Sequence, residues 1–261
     1  GGELLVWGVR ADGEAAALKL ITITRPDIAV LQRQAHVVAG RMRERLMPKS
    51  DDLASRERLA EITVQVAPPL AFWCAALPMH PDRMPRTLEL IDLALLLASF
   101  AVQRFKHALA VARPNQVDPR IFPAILTPAH ASLPSGHATE AFTVAQLLSA
   151  LLDLKPGEGL NETLSVLARR IADNREVAGL HYPIDTQSGR LLGTALARYL
   201  AARCTGDTCQ RAEFLGHTMK EGDLEAREAA VEGARIKKST ALAWLWRRAR
   251  AEWGAAEKSA A

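Results

Sequence analysis

The sequence has few cysteines, few aromatics and no long uninterrupted apolar run. Three cysteines in 261 residues are too few for a disulfide framework. Cys204 and Cys209 flank Thr-Gly-Asp-Thr and could close a small loop in an oxidising compartment. Without a nearby Cys/His pair they make a poor zinc site, and they read as two free thiols in a surface loop. The longest apolar windows, Leu88–Val102, Pro68–Pro78 and Ala141–Leu152, fall short of the roughly 18–20 apolar residues a spanning helix requires. Gly1–Gly13 lacks a basic leader and a cleavage pattern, although the chain starts without Met. The expectation is a soluble protein with no transmembrane segment, cytoplasmic or periplasmic. The net charge is only +4, with Lys/Arg and Asp/Glu interspersed, which leaves no nucleic-acid footprint.

What the chain does have is apolar content, 49%, arranged mostly at helical spacing. Two short β-prone runs, Leu4–Val9 and Leu18–Thr24, are separated by Asp12-Gly13 and predict a hairpin or an extended arm over residues 1–24. From Pro26, a helix-start residue, Ile28, Leu31, Ala35, Val38, Met42 and Leu46 recur on one helix face. Asp51 or Asp52 caps a second helix, and Pro68-Pro69 ends it and opens a third through Phe72 and Trp73 to Leu77. A long helix is expected from about Thr87 to Ala112, stopped by Arg113-Pro114. Further helices are expected at about 137–153, 162–178 and 183–203. No strand pattern appears after residue 24. The fold expected is therefore an all-α helical bundle over 25–205, with the N-terminal arm at 1–24. A C-terminal helical appendage is expected at 206–261, with weak helices at 222–236 and 240–253. The last carries Trp244, Trp246 and Trp253 among Arg247, Arg248 and Arg250. It suits packing on its own bundle, a homo-oligomer contact or a membrane surface.

Three clusters carry chemistry. In the stretch His130-Ala131-Ser132-Leu133-Pro134-Ser135-Gly136-His137, Ser135 sits where an N-cap belongs, just before an apolar helical run. A helix N-terminus with a hydroxyl and a bare amide is an anion site, and His137 adds a group that titrates near neutrality. Lys106 and Arg113 are seven positions apart, which would place both cations on one face of the long helix. Neighbouring His107 points about 100° away and reads as structural. Arg175 ends one helix, Gly179 turns the chain, and His181 precedes Pro183 with Asp185 in the following first turn. A carboxylate accepting one imidazole N–H fixes the tautomer and frees the other nitrogen. Singly, each cluster has a plain structural explanation: a capped helix, snorkelling surface cations, a buried His–Asp pair. Jointly they make a cage of three positive charges, a hydroxyl and an amide, which fits a tetrahedral or trigonal-bipyramidal oxyanion.

In order and spacing, Lys106-x6-Arg113-Pro114, Pro134-Ser135-Gly136-His137 and Arg175-x5-His181-x3-Asp185 resemble the signature of the type 2 phosphatidic acid phosphatase and vanadium haloperoxidase superfamily. The resemblance spans about residues 88–200 and implies an α-helical bundle with the site inside it. It also implies that Lys106, Arg113, Ser135, Gly136 and Arg175 hold the equatorial oxygens. His181 would be the axial ligand of the metal centre, or the nucleophile, with Asp185 orienting it and His137 as acid–base. Two chemistries share that cage. With vanadate as cofactor, hydrogen peroxide and a halide would give hypohalous acid. Without a cofactor, a small phosphomonoester would be hydrolysed through a phosphohistidine. His130, five positions before Ser135, matches a second histidine of bromide- and iodide-type haloperoxidases, and the segment His181-Tyr182-Pro183-Ile184-Asp185 through Gly189 and Leu192-Gly193 also resembles haloperoxidase sequence. The 44 positions from His137 to His181 match the shorter phosphatase spacing. Asn174 stands where many members have Ser. The haloperoxidase is the favoured expectation and the acid phosphatase the alternative.

Overall fold

The structure, a computed structural model, describes residues 2–9, 15–46, 53–67, 70–220 and 227–259. Helices dominate: α1 (Ile28–Leu46), α2 (Leu53–Val64), α3 (Leu70–Ala76), α4 (Pro85–Leu109), α5 (Pro114–Val117), α6 (Gly136–Leu151), α7 (Gly159–Val177), α8 (Pro183–Thr205) and α9 (Thr240–Ser259). Strands β1 (Gly2–Val9) and β2 (Ala15–Thr24) precede them, and β3 (Thr208–Leu215) and β4 (Arg227–Arg235) stand between α8 and α9. The expected caps at Asp51/Asp52, the Pro68-Pro69 break and the Asp12-Gly13 turn lie outside the described residues. No helix among the described residues is long and apolar enough to cross a membrane.

The centre of the bundle is the α6–α8 pair, which packs backbone to backbone. A Cβ on Gly189 would stand 2.7 Å from the Ser135 carbonyl oxygen, and one on Gly193 would overlap the Thr139 carbonyl oxygen. These two glycines, one turn apart on α8, therefore let the N-terminus of α6 sit against the first turns of α8. Both helix starts carry chemistry-bearing residues. α1 braces the start of α8 from outside: the Gln34 side-chain oxygen accepts the Ile184 N–H at 3.1 Å, and Arg41 pairs with buried Glu176 of α7.

Two expectations fail at the chain's ends. Residues 227–235 form a strand where a weak helix was expected, and β3 is a second strand outside the first 24 residues. β1 pairs antiparallel with β2, β2 parallel with β3, and β3 antiparallel with β4, while the Val9–Arg235 pair closes the ring. Arg227–Arg235 is rich in Ala, Glu and Arg, which favour helix locally. Pairing with β3 decides otherwise, because strand preference is set by neighbours more than by the residue itself. The appendage is thus part sheet, and it joins the N-terminal strands. Cys204 and Cys209 are free but buried, at the end of α8 and in β3, and not in a surface loop.

The α9 helix packs on its own bundle. Leu245, Trp246 and Ala249 pack in a core cluster with Leu90, Leu147, Leu200 and Cys204. Its Glu252 carboxylate caps α4, accepting the Arg86 and Thr87 N–H groups at 2.7 and 2.8 Å, a favourable placement for an anion at a helix N-terminus. Trp244 stays 43% exposed, with the guanidinium groups of Arg86 and Arg248 over its ring.

Candidate active site

The three clusters converge on one cavity of about 190 Å³, lined by Lys106, Arg113, His130, Gly136, His137, Arg175 and His181. Ser135 and Asp185 stand behind this lining and are fully buried. Ser135 is the N-cap of α6, and its hydroxyl accepts the Ala138 N–H at 3.4 Å. Its own N–H donates to the Asp185 carbonyl oxygen at 3.0 Å, tying α6 to α8. A larger open cleft of about 540 Å³ lies elsewhere, with Asp153, Arg198 and Asp207 on its wall, and holds none of these residues.

Lys106 and Arg113 meet by a different route from the one their spacing suggested. α4 ends at Leu109, where Ala110 adopts a left-handed conformation (φ 46°, ψ 46°) and donates to the Lys106 carbonyl. Arg113 then stands at the start of α5 and turns back to the cavity. The two cations share a site because the chain reverses there, not because they share a helix face. Lys106 is only 2% exposed. Its ammonium donates to the Ala131 and Ser132 carbonyls, both at 2.7 Å, and so fixes the strand of chain leading into α6. Burial, then the charge of Arg113, pushes its pKa down to about 7.

Arg113 donates from Nε to the His130 carbonyl at 3.1 Å and from Nη1 to the Leu180 carbonyl at 2.9 Å. The same Nη1 lies 3.1 Å from His181 Nε2, and Nη2 lies 3.1 Å from His130 Nδ1. Arg175 is anchored by Nη2 alone, to the Ile62 carbonyl at 2.9 Å and the Gln65 side-chain oxygen at 3.3 Å. Its Nε and Nη1 are buried with no partner among the described residues. Burial lowers its pKa to about 10. An unpartnered buried donor costs about 1–3 kcal/mol, and more when it is charged. Two on one guanidinium at a cationic cavity suit an anionic oxygen acceptor. The donor set fits a tetrahedral oxyanion, phosphate or vanadate alike.

The histidines are held by different partners. His181 donates from Nδ1 to Asp185 Oδ2 at 2.8 Å, which leaves Nε2 unprotonated toward Arg113. The same carboxylate oxygen accepts the Ser132 hydroxyl at 2.5 Å and the Tyr182 N–H at 3.1 Å. Asp185 is thus also the third helical residue reaching back to its own N-cap, half of a capping box. Pro183 supplies the pre-set first residue of α8. Gly179 (φ +75°) makes the turn from α7, at a place where a Cβ would meet Met42 Sδ at 2.5 Å. Burial, then Lys106 and Arg113, keeps the His181 pKa well below the ordinary imidazole value. Burial raises Asp185 to about 6. His137 donates from Nε2 to the Gln65 carbonyl at 2.7 Å. Burial, then Arg175, lowers its pKa to about 4. His130 is lowered too, chiefly by burial.

Three contributors have no counterpart among the expected residues. Ser132 lay inside the quoted stretch, but a loop hydroxyl three positions before a cap carries no distinguishing signal. Gln65 follows α2 outside every motif. Its side-chain oxygen accepts both Arg175 and the Asn174 amide, the latter at 2.8 Å, so Asn174 serves the cage through Gln65. Glu140, one turn beyond His137 on α6, also lines the cavity.

No curated protein matches the chain. The family model of the PAP2 superfamily matches residues 90–206, from within α4 just past the end of α8. That span contains Lys106, Arg113, His130, Ser135, Gly136, His137, Arg175, His181 and Asp185. The stretch of the chain that carries the cage is therefore similar to the PAP2 superfamily, whose members are generally phosphatases or haloperoxidases.

Proposed function

We propose that the protein is a haloperoxidase that uses vanadate to oxidise bromide or iodide with hydrogen peroxide. The observation that carries this reading is His130, an imidazole on the cavity wall beside those of His137 and His181, 3.1 Å from Arg113. Lys106, Arg113, Arg175 and the Gly136 amide would hold the oxyanion's oxygens, with Ser135 supporting the Gly136 amide from behind. His181 Nε2 would bind the central atom, since Asp185 fixes the proton on Nδ1. Bound vanadate supplies an electrophilic centre that activates peroxide toward two-electron oxidation of a halide. His137 keeps Nε2–H on the Gln65 carbonyl, which leaves Nδ1 to exchange a proton with an incoming hydroperoxide. His130, kept neutral by burial, offers a polar group beside Arg113 on the cavity wall.

The second reading is phosphomonoester hydrolysis, favoured by the 44 positions between His137 and His181. Here His181 Nε2 would attack phosphorus and the ester P–O bond would break, with His137, protonated at Nδ1 from solvent when the charged ester occupies the cage, giving that proton to the departing alcohol. Water, deprotonated by His137, would then release phosphate from the phosphohistidine. One pair of assays separates the readings. Bromination of a phenol-red-type dye that requires both vanadate and peroxide is expected under the first. Its absence from pH 5 to 8, together with p-nitrophenyl phosphate turnover inhibited by vanadate, would overturn it in favour of the second.

A further inference from the structure

The lining of the cavity contains one group of the wrong sign. Glu140 lines the cavity together with Lys106 of α4, Arg175 of α7, Arg113 and His130 of the connecting segment, His181, and its own helix neighbour His137, which complete the charged and titratable wall. Among the described residues, no hydrogen-bond donor or ion-pair partner reaches its carboxyl. An ionised carboxylate and an oxyanion sharing one small cavity repel, whereas a protonated carboxyl is a donor that an oxyanion oxygen accepts.

We propose that Glu140 is the proton-holding group of the cage: an oxyanion binds while the Glu140 carboxyl is protonated, and its O–H donates to an oxygen of that anion. The inference rests on the oxyanion-cage reading and is common to phosphate and vanadate. The proton comes from solvent, so each anion bound at alkaline pH brings one proton into the protein. Burial raises the Glu140 pKa to about 7, against the lowering pull of Lys106, so the coupling falls in an accessible range. Above that value ionised Glu140 must be reprotonated before the anion enters. Below it the cost vanishes.

Inorganic phosphate, titrated calorimetrically into the full chain from pH 5.5 to 9 in two buffers of different ionisation heat, tests this. Glu140→Gln keeps a donor and removes the titration. The ratio of wild-type to Glu140→Gln dissociation constants should stay near one below pH 6 and rise up to about tenfold per pH unit above 7. Phosphate's own ionisation cancels in that ratio. At pH 8 wild type should take up close to one more proton per phosphate than the variant. Glu140→Leu should bind more weakly than Glu140→Gln at every pH, because it lacks the donor. A ratio independent of pH, or equal proton uptake, overturns the proposal while phosphate binding itself upholds the cage. Equal affinities of the Gln and Leu variants overturn the donor role. Failure of all forms to bind phosphate, with Arg175→Ala no different, removes the cage reading and this inference with it.

Discussion

Of the three imidazoles on the cavity wall, His181 and His137 are held by partners that differ in kind. His181 gives its Nδ1 hydrogen bond to the Asp185 carboxylate, His137 its Nε2 hydrogen bond to the Gln65 carbonyl. A carboxylate gains more than a neutral carbonyl as positive charge develops on the ring. On the proposed function, His181 would keep a bond to an electrophilic centre and His137 would trade a proton. The partners also come from different places. Asp185 is four residues from His181 on the same helix start, whereas Gln65 follows α2, outside the family-matched span. On that reading, identical side chains would do different work because of what holds their far nitrogen.

The largest expected effect tests that division directly. His181→Ala should lower kcat by about 10³-fold or more with any substrate, since the bond to the centre is lost. His137→Ala should cost about 10²–10⁴-fold with an alkyl phosphate, but much less with p-nitrophenyl phosphate, whose leaving group needs no proton. Equal losses from both variants on both esters would break the contrast.

Next in size is Asp185→Asn. The amide can present N–H to His181 and favour the wrong tautomer, so a fall of about 10²–10³ in kcat is expected by analogy with other carboxylate–imidazole pairs. Phosphate affinity should change less, because the cations that hold the oxygens remain. A variant with near wild-type kcat would put His181 on the same footing as His137.

Smaller still is Gln65→Leu. The main-chain carbonyl that holds His137 survives, but Arg175 and Asn174 lose a shared acceptor. Weakening one charged contact is expected to raise the phosphate dissociation constant about tenfold, with kcat within a few-fold of wild type. The reverse pattern, intact affinity and lost kcat, would show that the side chain serves His137 and not Arg175.

The cage was legible in the sequence because its residues sit at helix ends, where caps, prolines and glycines punctuate the chain. Ser135 before an apolar run and Pro183 before Asp185 announce two helix starts, and those starts aim the chemistry. What was not legible came by tertiary contact alone. Arg113 reaches the cavity through a chain reversal at Ala110, a residue with no intrinsic liking for that conformation. Gln65 meets Arg175 across 110 positions of sequence. The strand Arg227–Arg235 likewise exists only because β3 offers it a ladder, so helix-favouring residues misstate it. Periodicity reports what a segment does with its own neighbours; it is silent on what distant segments do to it.

The smallest effect concerns stability. His137 is held neutral, its pKa lowered from 6.5 to about 4 by burial, so its contribution is whole above pH 6.5 and lost as pH falls toward 4. Buried Glu140 and Glu176, both raised to about 7, act in the opposite sense. Their contribution is whole below pH 4.5 and lost as pH rises through 7. Between pH 4.5 and 6.5 the two slopes offset each other, so the wild-type melting temperature alone reports neither. The difference between wild type and His137→Gln isolates the imidazole: it should grow in favour of wild type as pH rises from 4 to 6.5 and level off above. Saturating phosphate should flatten that rise, because an anion in the cage makes a protonated His137 tolerable. A difference that does not vary with pH would mean that His137 titrates as an ordinary exposed imidazole, and that the Gln65 carbonyl does not set its role.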